Sequence, residues 1–264
     1  MAAGTQIIWE GELLRILGVG AHPDDVELGC GGALALFKQL GHDVDVLVLS
    51  RGEGSGDPIV RENENRLADA LLGVDHLTFG NLADTKITDG IDTIRTIENE
   101  IDSISPDLVF THSIKDSHQD HRNTHLATVS AARRINKILL YESPAALRDF
   151  YPQAFIDITS TMKIKLNALT AYDSQATKAY MHAPIPTGDP CRGCETYGKI
   201  SNAIAGLARY RGFQAGVGLA EAFEVAKYIL DPQIFPVTSS KKEDEVKLRP
   251  GRISPCTSIQ TSLS

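Results

Sequence analysis

Ile16-Leu17-Gly18-Val19-Gly20-Ala21-His22-Pro23-Asp24-Asp25 is the stretch on which the fold turns, with Gly29-Cys30-Gly31-Gly32 and a helical run over 33–40 behind it. The apolar half reads as a strand buried on both faces, the form that strands take in a parallel sheet. Gly41 closes the helical run, glycine being a favourable helix stop, and Asp43-Val44-Asp45-Val46-Leu47-Val48-Leu49-Ser50 reads as the next strand. The three pieces make a βαβ unit whose first strand-to-helix junction carries one imidazole and two carboxylates. Open α/β sheets bind ligands at the carboxyl ends of their strands, so the active site is expected here. A His and an Asp three residues apart can both reach one metal ion, whereas the intervening Asp24 must point elsewhere.

The alternation continues along the chain. A Gly-rich loop over 52–58 leads to a helix over 60–72 closed by Gly73, then a short strand over 76–80. A helix over 90–104 carries Ile91, Ile94, Ile97 and Ile101 on one face, read as a core stripe, and Ser105-Pro106 breaks it. Strands are expected over 108–111, 137–141 and 154–158, and helices from the His-rich loop to 134, over 162–172, and over 198–228 with an interruption near 212–218. This pattern predicts an α/β, Rossmann-like fold: a mostly parallel sheet with helices on both faces. Residues 1–238 are expected to form one domain. Residues 239–264, polar and Ser/Thr-rich, are expected to be a mobile tail in which the 241–245 charge run is solvated.

Composition narrows the function. In 264 residues, 42% are apolar, which supplies a continuous core and excludes a disordered chain. A formal charge of −8 with a pI near 5.5 opposes binding to nucleic acid or to an anionic membrane. The N-terminal residues lack a basic segment followed by an apolar one, and no run approaches the roughly 20 apolar residues of a membrane span. A soluble cytoplasmic protein without membrane insertion is expected. Cys30, Cys191, Cys194 and Cys256 are too few for a secreted disulfide framework. Cys191-Arg192-Gly193-Cys194 is a lone CxxC, read as local structure because a four-thiolate zinc site needs a second pair.

Four of the eight histidines fall between Thr111 and His125: His112, His118, His121 and His125. In a doubly wound order the first strand lies beside the fourth, which brings this loop next to His22 and Asp25. A His₂Asp set with an open position suits a catalytic metal, since a structural zinc site fills all four positions with protein ligands. His22-Pro23-Asp24-Asp25 together with His118-Gln119-Asp120-His121 resembles the PIG-L/LmbE family of zinc-dependent N-acetylglucosamine deacetylases. The resemblance runs over about 15–230 and takes in Gly29-Cys30-Gly31-Gly32, Arg61 with Glu64, and Glu221-Ala222-Phe223. It implies that His22, Asp25 and His121 hold the metal, that Asp24 is the general base, and that His118 is a second acid/base or oxyanion-stabilising group. It also implies that Arg61 and Asp84 face the sugar. Gln119 replaces the family's more usual Pro, and Asp116 stands where some members place a Tyr.

Other readings stay beside these. Asp120 is either a carboxylate that orients an imidazole or the N-cap of the following helix, and His112 is structural or a support to the site. His125 reads as a plain helix face, and His42, His76 and His182 as surface or loop residues. The glycines at 29, 31 and 32 are read as packing residues that let the first helix approach the metal loop. A dinucleotide fingerprint fails at Pro23, where glycine is required, and at Ser50-Arg51, where an acidic residue is required. Arg209, Tyr210 and Arg211 read as surface helix. The loops over 52–58 and 183–198 are expected to form the rim that selects substrate.

The expected function is hydrolytic removal of an N-acetyl group from an N-acetylglucosamine-type amino sugar in a small glycoconjugate or natural-product intermediate, by a zinc-activated water. Two alternatives are an amidase acting on a larger acyl or cysteinyl–glucosamine amide, and a metal- or sugar-binding protein without turnover. Zn²⁺ is the expected cofactor, with Fe²⁺ compatible with the same donors. The expected partner is a small N-acetylated amino sugar, and the oligomeric state is not encoded in any feature read here.

Overall fold

Strand β1 (Arg15–Gly20) lies beside strand β2 (Asp43–Val48) in parallel register, Ile16 opposite Val44 and Gly20 opposite Val48, and helix α1 (Asp25–Gln39) connects them. The computed structural model describes residues 13–175 and 201–229. The chain continues through α2 (Pro58–Leu72), β3 (His76–Phe79), α3 (Ile91–Ile104), β4 (Leu108–His112), α4 (Gln119–Ala131), β5 (Lys137–Tyr141), β6 (Ala154–Asp157) and α5 (Met162–Leu169). A 3-10 turn (Asp173–Gln175), α6 (Ser201–Ala215) and β7 (Ala220–Tyr228) complete it. Among the described residues the strands form one seven-stranded sheet in the order β3-β2-β1-β4-β5-β7-β6. β1 pairs in parallel with β2 on one side and with β4 on the other, so the predicted switch point lies at the end of β1.

Alternation along each strand sorts the core into two layers, because successive side chains point to opposite faces. Ile16, Val44, Val46 and Phe110 pack with Val26, Ala33 and Leu34 of α1. Leu17, Val19, Leu47 and Val109 pack on the other face with Ile97 and Ile101 of α3 and Ala127 and Ala131 of α4. Helices on both faces are thus the observed arrangement. The α3 stripe is only partly core, for Ile91 at its start is exposed. α2 begins as its sequence dictates: the Asp57 side chain accepts from Ile59 N at 2.8 Å, Pro58 occupies the first turn, and Gly73 closes the helix at φ 86°.

Three expectations need correction. Residues 220–228, expected as helix, form strand β7, antiparallel to both β5 and β6. Ala and Glu are good helix formers, yet Ala220, Glu221, Ala222 and Phe223 are all buried between two strands, and pairing plus burial outweighs propensity. Second, α1 starts at Asp25 rather than near Ala33, so Gly29, Gly31 and Gly32 lie within the helix. Gly29 and Gly32 do admit close packing, but against β5 and the segment after β6 rather than the metal loop, while Gly31 faces Leu72 and Lys165 at ordinary contact distance. A Cβ at Gly29 would lie 2.2 Å from the Tyr141 ring, and one at Gly32 would lie 2.9 Å from Ile158 Cδ1. Third, α5 stops at Leu169, and Asp173–Gln175 turns separately.

A buried polar knot fastens α1 to β7 and α5. Glu221 accepts from Gly32 N at 2.9 Å and Ala33 N at 2.8 Å, and Lys165 Nζ donates to Glu221 at 2.6 Å and to Leu28 O at 2.7 Å. Leu28 O and Gly32 N, four residues apart in the helix, therefore each have a partner from outside it. Two polar side chains expected at the surface are inside. His42 is buried and accepts from Leu14 N at 3.1 Å, and Arg211 is buried in a two-pronged pair with Glu142. Tyr210 and His76 are exposed as expected. No helix among the described residues is long and apolar enough to cross a membrane. The expectations for His182, for Cys191 and Cys194, for the 183–198 rim and for the 239–264 tail fall outside the described residues.

Candidate metal and catalytic site

The chain leaves β1 at Gly20 and turns through Ala21-His22-Pro23 before α1 begins. Asp24, at the N-cap position of α1, has φ 95°, a left-handed conformation that costs a non-glycine residue roughly 1–3 kcal/mol and tends to concentrate at functional sites. The bend lets Asp25 turn back on the loop, where its Oδ2 accepts from Ala21 N at 3.1 Å and His22 N at 2.7 Å. β4 ends in His112, and His118 caps α4 by accepting from Asp120 N at 3.2 Å. His121 follows in the first turn of α4.

These two strand ends meet. Asp25 Oδ2 lies 3.4 Å from His22 Nδ1, and Asp25 Oδ1 lies 3.2 Å from His121 Nε2. The remote nitrogen of each imidazole is held by carboxylate: His22 Nε2 by Asp84 Oδ1 at 3.1 Å and Asp120 Oδ2 at 3.2 Å, His121 Nδ1 by Asp116 Oδ2 at 2.9 Å. The His118 ring centroid is 4.9 Å from that of His22 and 4.6 Å from that of His121. His112 stacks on His121 at 4.0 Å and places Nε2 3.2 Å from Asp25 Oδ2. Three overlapping sets bring one donor atom per residue within 4.8 Å: His22, His118 and His121; Asp25, His112 and His121; His22, Asp84 and Asp120.

Asp24 sits beside this cluster against Arg61, whose Nη1 is 3.5 Å from Asp24 Oδ2 and whose Nη2 donates to Pro23 O at 2.6 Å. A cavity of about 390 Å³ opens onto it, lined by His22, Asp24, Asp25, Arg61, Asp84 and His118, with Gly54, Ser55, Pro144 and Gln175 at other walls. That volume lies in the range of small-molecule sites.

The electrostatics call for positive charge at the centre. Burial opposes protonation of His121, but Asp25 and Asp116 outweigh it and hold the imidazole at about 9. Burial likewise opposes protonation of His22, and Asp120, Asp25 and Asp84 reverse it and raise the group. His112 and His118 go the other way, lowered first by burial and then by the neighbouring His121, His112 to about 4. Burial pushes the Asp24 carboxyl up to about 7 against the pull of Arg61, and the bond to His22 holds Asp84 at about 2. Asp120 Oδ1 in the cluster and Arg61 Nε in the cavity wall are buried without a hydrogen-bond partner among the described residues, a state that a bound ion or ligand would relieve. Two imidazoles and a carboxylate in contact, ringed by further carboxylates, are a donor set that fits a zinc-like divalent cation.

The structure thus gathers His22, Asp24, Asp25, His118 and His121 in one place, with Arg61 and Asp84 in the wall. Two positions take partners that were not foreseen. Of the two roles read for Asp120, the cap of α4 belongs to His118, and the carboxylate lies against an imidazole, that of His22 rather than its neighbour His121, and accepts from Thr85 N at 2.7 Å. Asp84 is engaged by both oxygens, one at His22 and the other accepting from Gly54 N at 2.8 Å. His125 stands aside, its Nδ1 2.9 Å from His112 O. Sequence reading missed Asp116, noted only as a departure although an acidic residue beside a His cluster was a usable signal, and Gln175, for which no signal existed.

Comparison with known proteins bears on the same residues. The family model PIG-L, described as GlcNAc-PI de-N-acetylase, matches residues 17–132, which hold the whole cluster. The uncharacterized deacetylase YaiS of Escherichia coli (strain K12) is 37% identical over 167 residues, covering 60% of this chain and 90% of that protein. A diacetylchitobiose deacetylase of Thermococcus kodakarensis is 25% identical over 189 residues, 62% of this chain and 71% of that protein. The crystal structure of a conserved protein from Thermus thermophilus superposes with a TM-score of 0.68 at 28% identity, covering 83% of this chain and 97% of that one. Since the likeness to the deacetylase YaiS spans nearly all of that protein, and the matched segment contains both strand ends that build the cluster, the chain belongs to the PIG-L deacetylase family.

Proposed function

We propose that the protein is a metal-dependent N-deacetylase that releases acetate from an N-acetylglucosamine-type amino sugar carried in a small glycoconjugate or natural-product intermediate. The observation that carries this reading is the contact of Asp25 with both His22 and His121 at the floor of a cavity whose wall holds Asp24. The relative that acts on diacetylchitobiose supports the amino-sugar class. His22, Asp25 and His121 would hold Zn²⁺, or Fe²⁺ with the same donors. A divalent cation there supplies Lewis acidity toward water and toward the amide carbonyl.

The chain's own groups do the rest. Asp24, held by Arg61 at the cavity wall, takes the proton of the attacking water at a carboxylate oxygen. His118 Nδ1 accepts from Asp120 N, so the neutral ring carries its hydrogen on Nε2 and serves as a fixed donor to the developing oxyanion. Because that cap occupies Nδ1, Asp24 is the group that returns the proton to the departing nitrogen as the C–N bond breaks. Arg61 and Asp84 contact the sugar from the wall, and Asp84 and Asp120 keep His22 oriented. The 52–58 loop contributes Gly54 and Ser55 to the rim.

The test is an acetate and primary-amine assay over a panel of N-acetylated amino sugars, with zinc added, removed by a chelator, and restored. At least one substrate should be turned over, with loss on chelation and recovery on readdition. Metal-loaded protein that binds the sugars but releases no acetate from any of them would leave a binding protein and end the deacetylase reading.

A further inference from the structure

We infer that Asp116 is the residue that positions His121 as a metal ligand, and that Ser143 holds Asp116 in place from the loop after β5. The inference rests on the metal site proposed above and goes beyond it, since neither residue belongs to the ligand or acid/base set.

Asp116 is 2% exposed, and each of its oxygens is committed. Oδ1 accepts from His118 N at 2.7 Å. Oδ2 takes His121 Nδ1 at 2.9 Å and also accepts the Ser143 hydroxyl in a short hydrogen bond. With His118 N at Oδ1 and the Ser143 hydroxyl at Oδ2, Asp116 has a donor at each oxygen, and a carboxylate accepts but cannot donate. The hydrogen in the contact with His121 is therefore on Nδ1, so Nε2, 3.2 Å from Asp25 Oδ1, is the nitrogen that a cation would take in place of a proton. The opposite tautomer would present an N–H to the cation and could not bind it. A carboxylate on the remote nitrogen also makes an imidazole a stronger ligand.

The backbone makes the pairing rigid. Asp116 forms an antiparallel bridge with Ala146, Ser117 N donates to Ala145 O at 3.0 Å, and Leu147 N donates to Lys115 O at 2.8 Å. Pro144 and Ala145 line the cavity, so Ser143, Asp116 and His121 form a continuous path from the cavity rim to the ligand nitrogen. His22 differs, because two carboxylates from separate segments share its Nε2.

The experiment measures zinc affinity of the full chain by competition with a chromogenic chelator, together with the unfolding midpoint in excess chelator. Asp116→Ala should weaken zinc binding about 10–100-fold, Asp116→Asn, which restores an acceptor, should recover part of the loss, and Ser143→Ala should weaken binding by a few-fold. Affinities within twofold of wild type in Asp116→Ala overturn the inference. Should that variant not fold, unchanged affinity in both Asp116→Asn and Ser143→Ala overturns it equally. A merely structural Asp116 would lower the unfolding midpoint and leave zinc affinity alone. Wild-type protein that fails to bind zinc sinks the metal site itself, an outcome distinct from wild-type binding matched by the variants.

Discussion

Two of the places where helix α1 meets buried charge differ in kind. At its N-terminus, Asp24 and Asp25 join His22, His118, His121, Asp84, Asp116 and Asp120. Halfway along, Glu221 and Lys165 enter its flank. Both groups are inside the molecule. In the second, Glu221 has two backbone N–H groups and an ammonium, Lys165 has a carbonyl and a carboxylate, and neither residue lines the cavity. In the first, buried atoms lack partners, carboxylates outnumber cations, one backbone angle is strained, and a cavity opens onto the cluster. Buried charge that is internally satisfied holds a fold together, whereas buried charge with valence left over at a cavity is a candidate for binding and chemistry.

The comparison can be broken most sharply at the N-terminal group. Asp24→Ala should keep bound metal and lose about 10²–10⁴-fold in turnover, the span of general acid–base assistance, while His22→Ala and His121→Ala should lose metal and turnover together. Metal content and acetate release measured side by side check this; an Asp24→Ala enzyme with full activity removes the base assignment. The knot should answer in stability instead. Lys165→Met strips a buried carboxylate of its ammonium, a loss of about 3–5 kcal/mol, seen in denaturant unfolding, with zinc affinity of the folded protein held within a few-fold. Smallest is Gly29→Ala, whose added methyl meets the Tyr141 ring; overpacking of this sort costs about 1–3 kcal/mol. Chemical denaturation reads that cost, and an unshifted midpoint would show that α1 and Tyr141 can slide apart freely.

Most of the sheet was legible because parallel strands buried on both faces are nearly continuous apolar runs, and glycines such as Gly41 and Gly73 mark where helices stop. β7 was not legible. Ala220-Glu221-Ala222-Phe223 carries helix formers, and only its place between β5 and β6 makes it a strand. The ligand candidates His22, Asp25 and His121 stood out by spacing and by resemblance. Which support serves which ring did not, because a hydrogen bond from a ring nitrogen to Asp116, Asp84 or Asp120 depends on loop geometry that has no period. Asp120 illustrates the limit: its neighbour in the chain is His121, yet its partner is His22.

By itself the sequence determined the parallel centre of the sheet with β1 between β2 and β4, the strand ends at which the His and Asp cluster forms, and most of the residues that meet there, because hydrophobic period and residue type act locally. Tertiary structure alone decided which carboxylate serves which imidazole, which glycines face Tyr141 and Ile158, and that residues 220–228 are a strand. Those outcomes are set by distances between segments far apart in the chain, and such distances exist only once the chain has closed on itself.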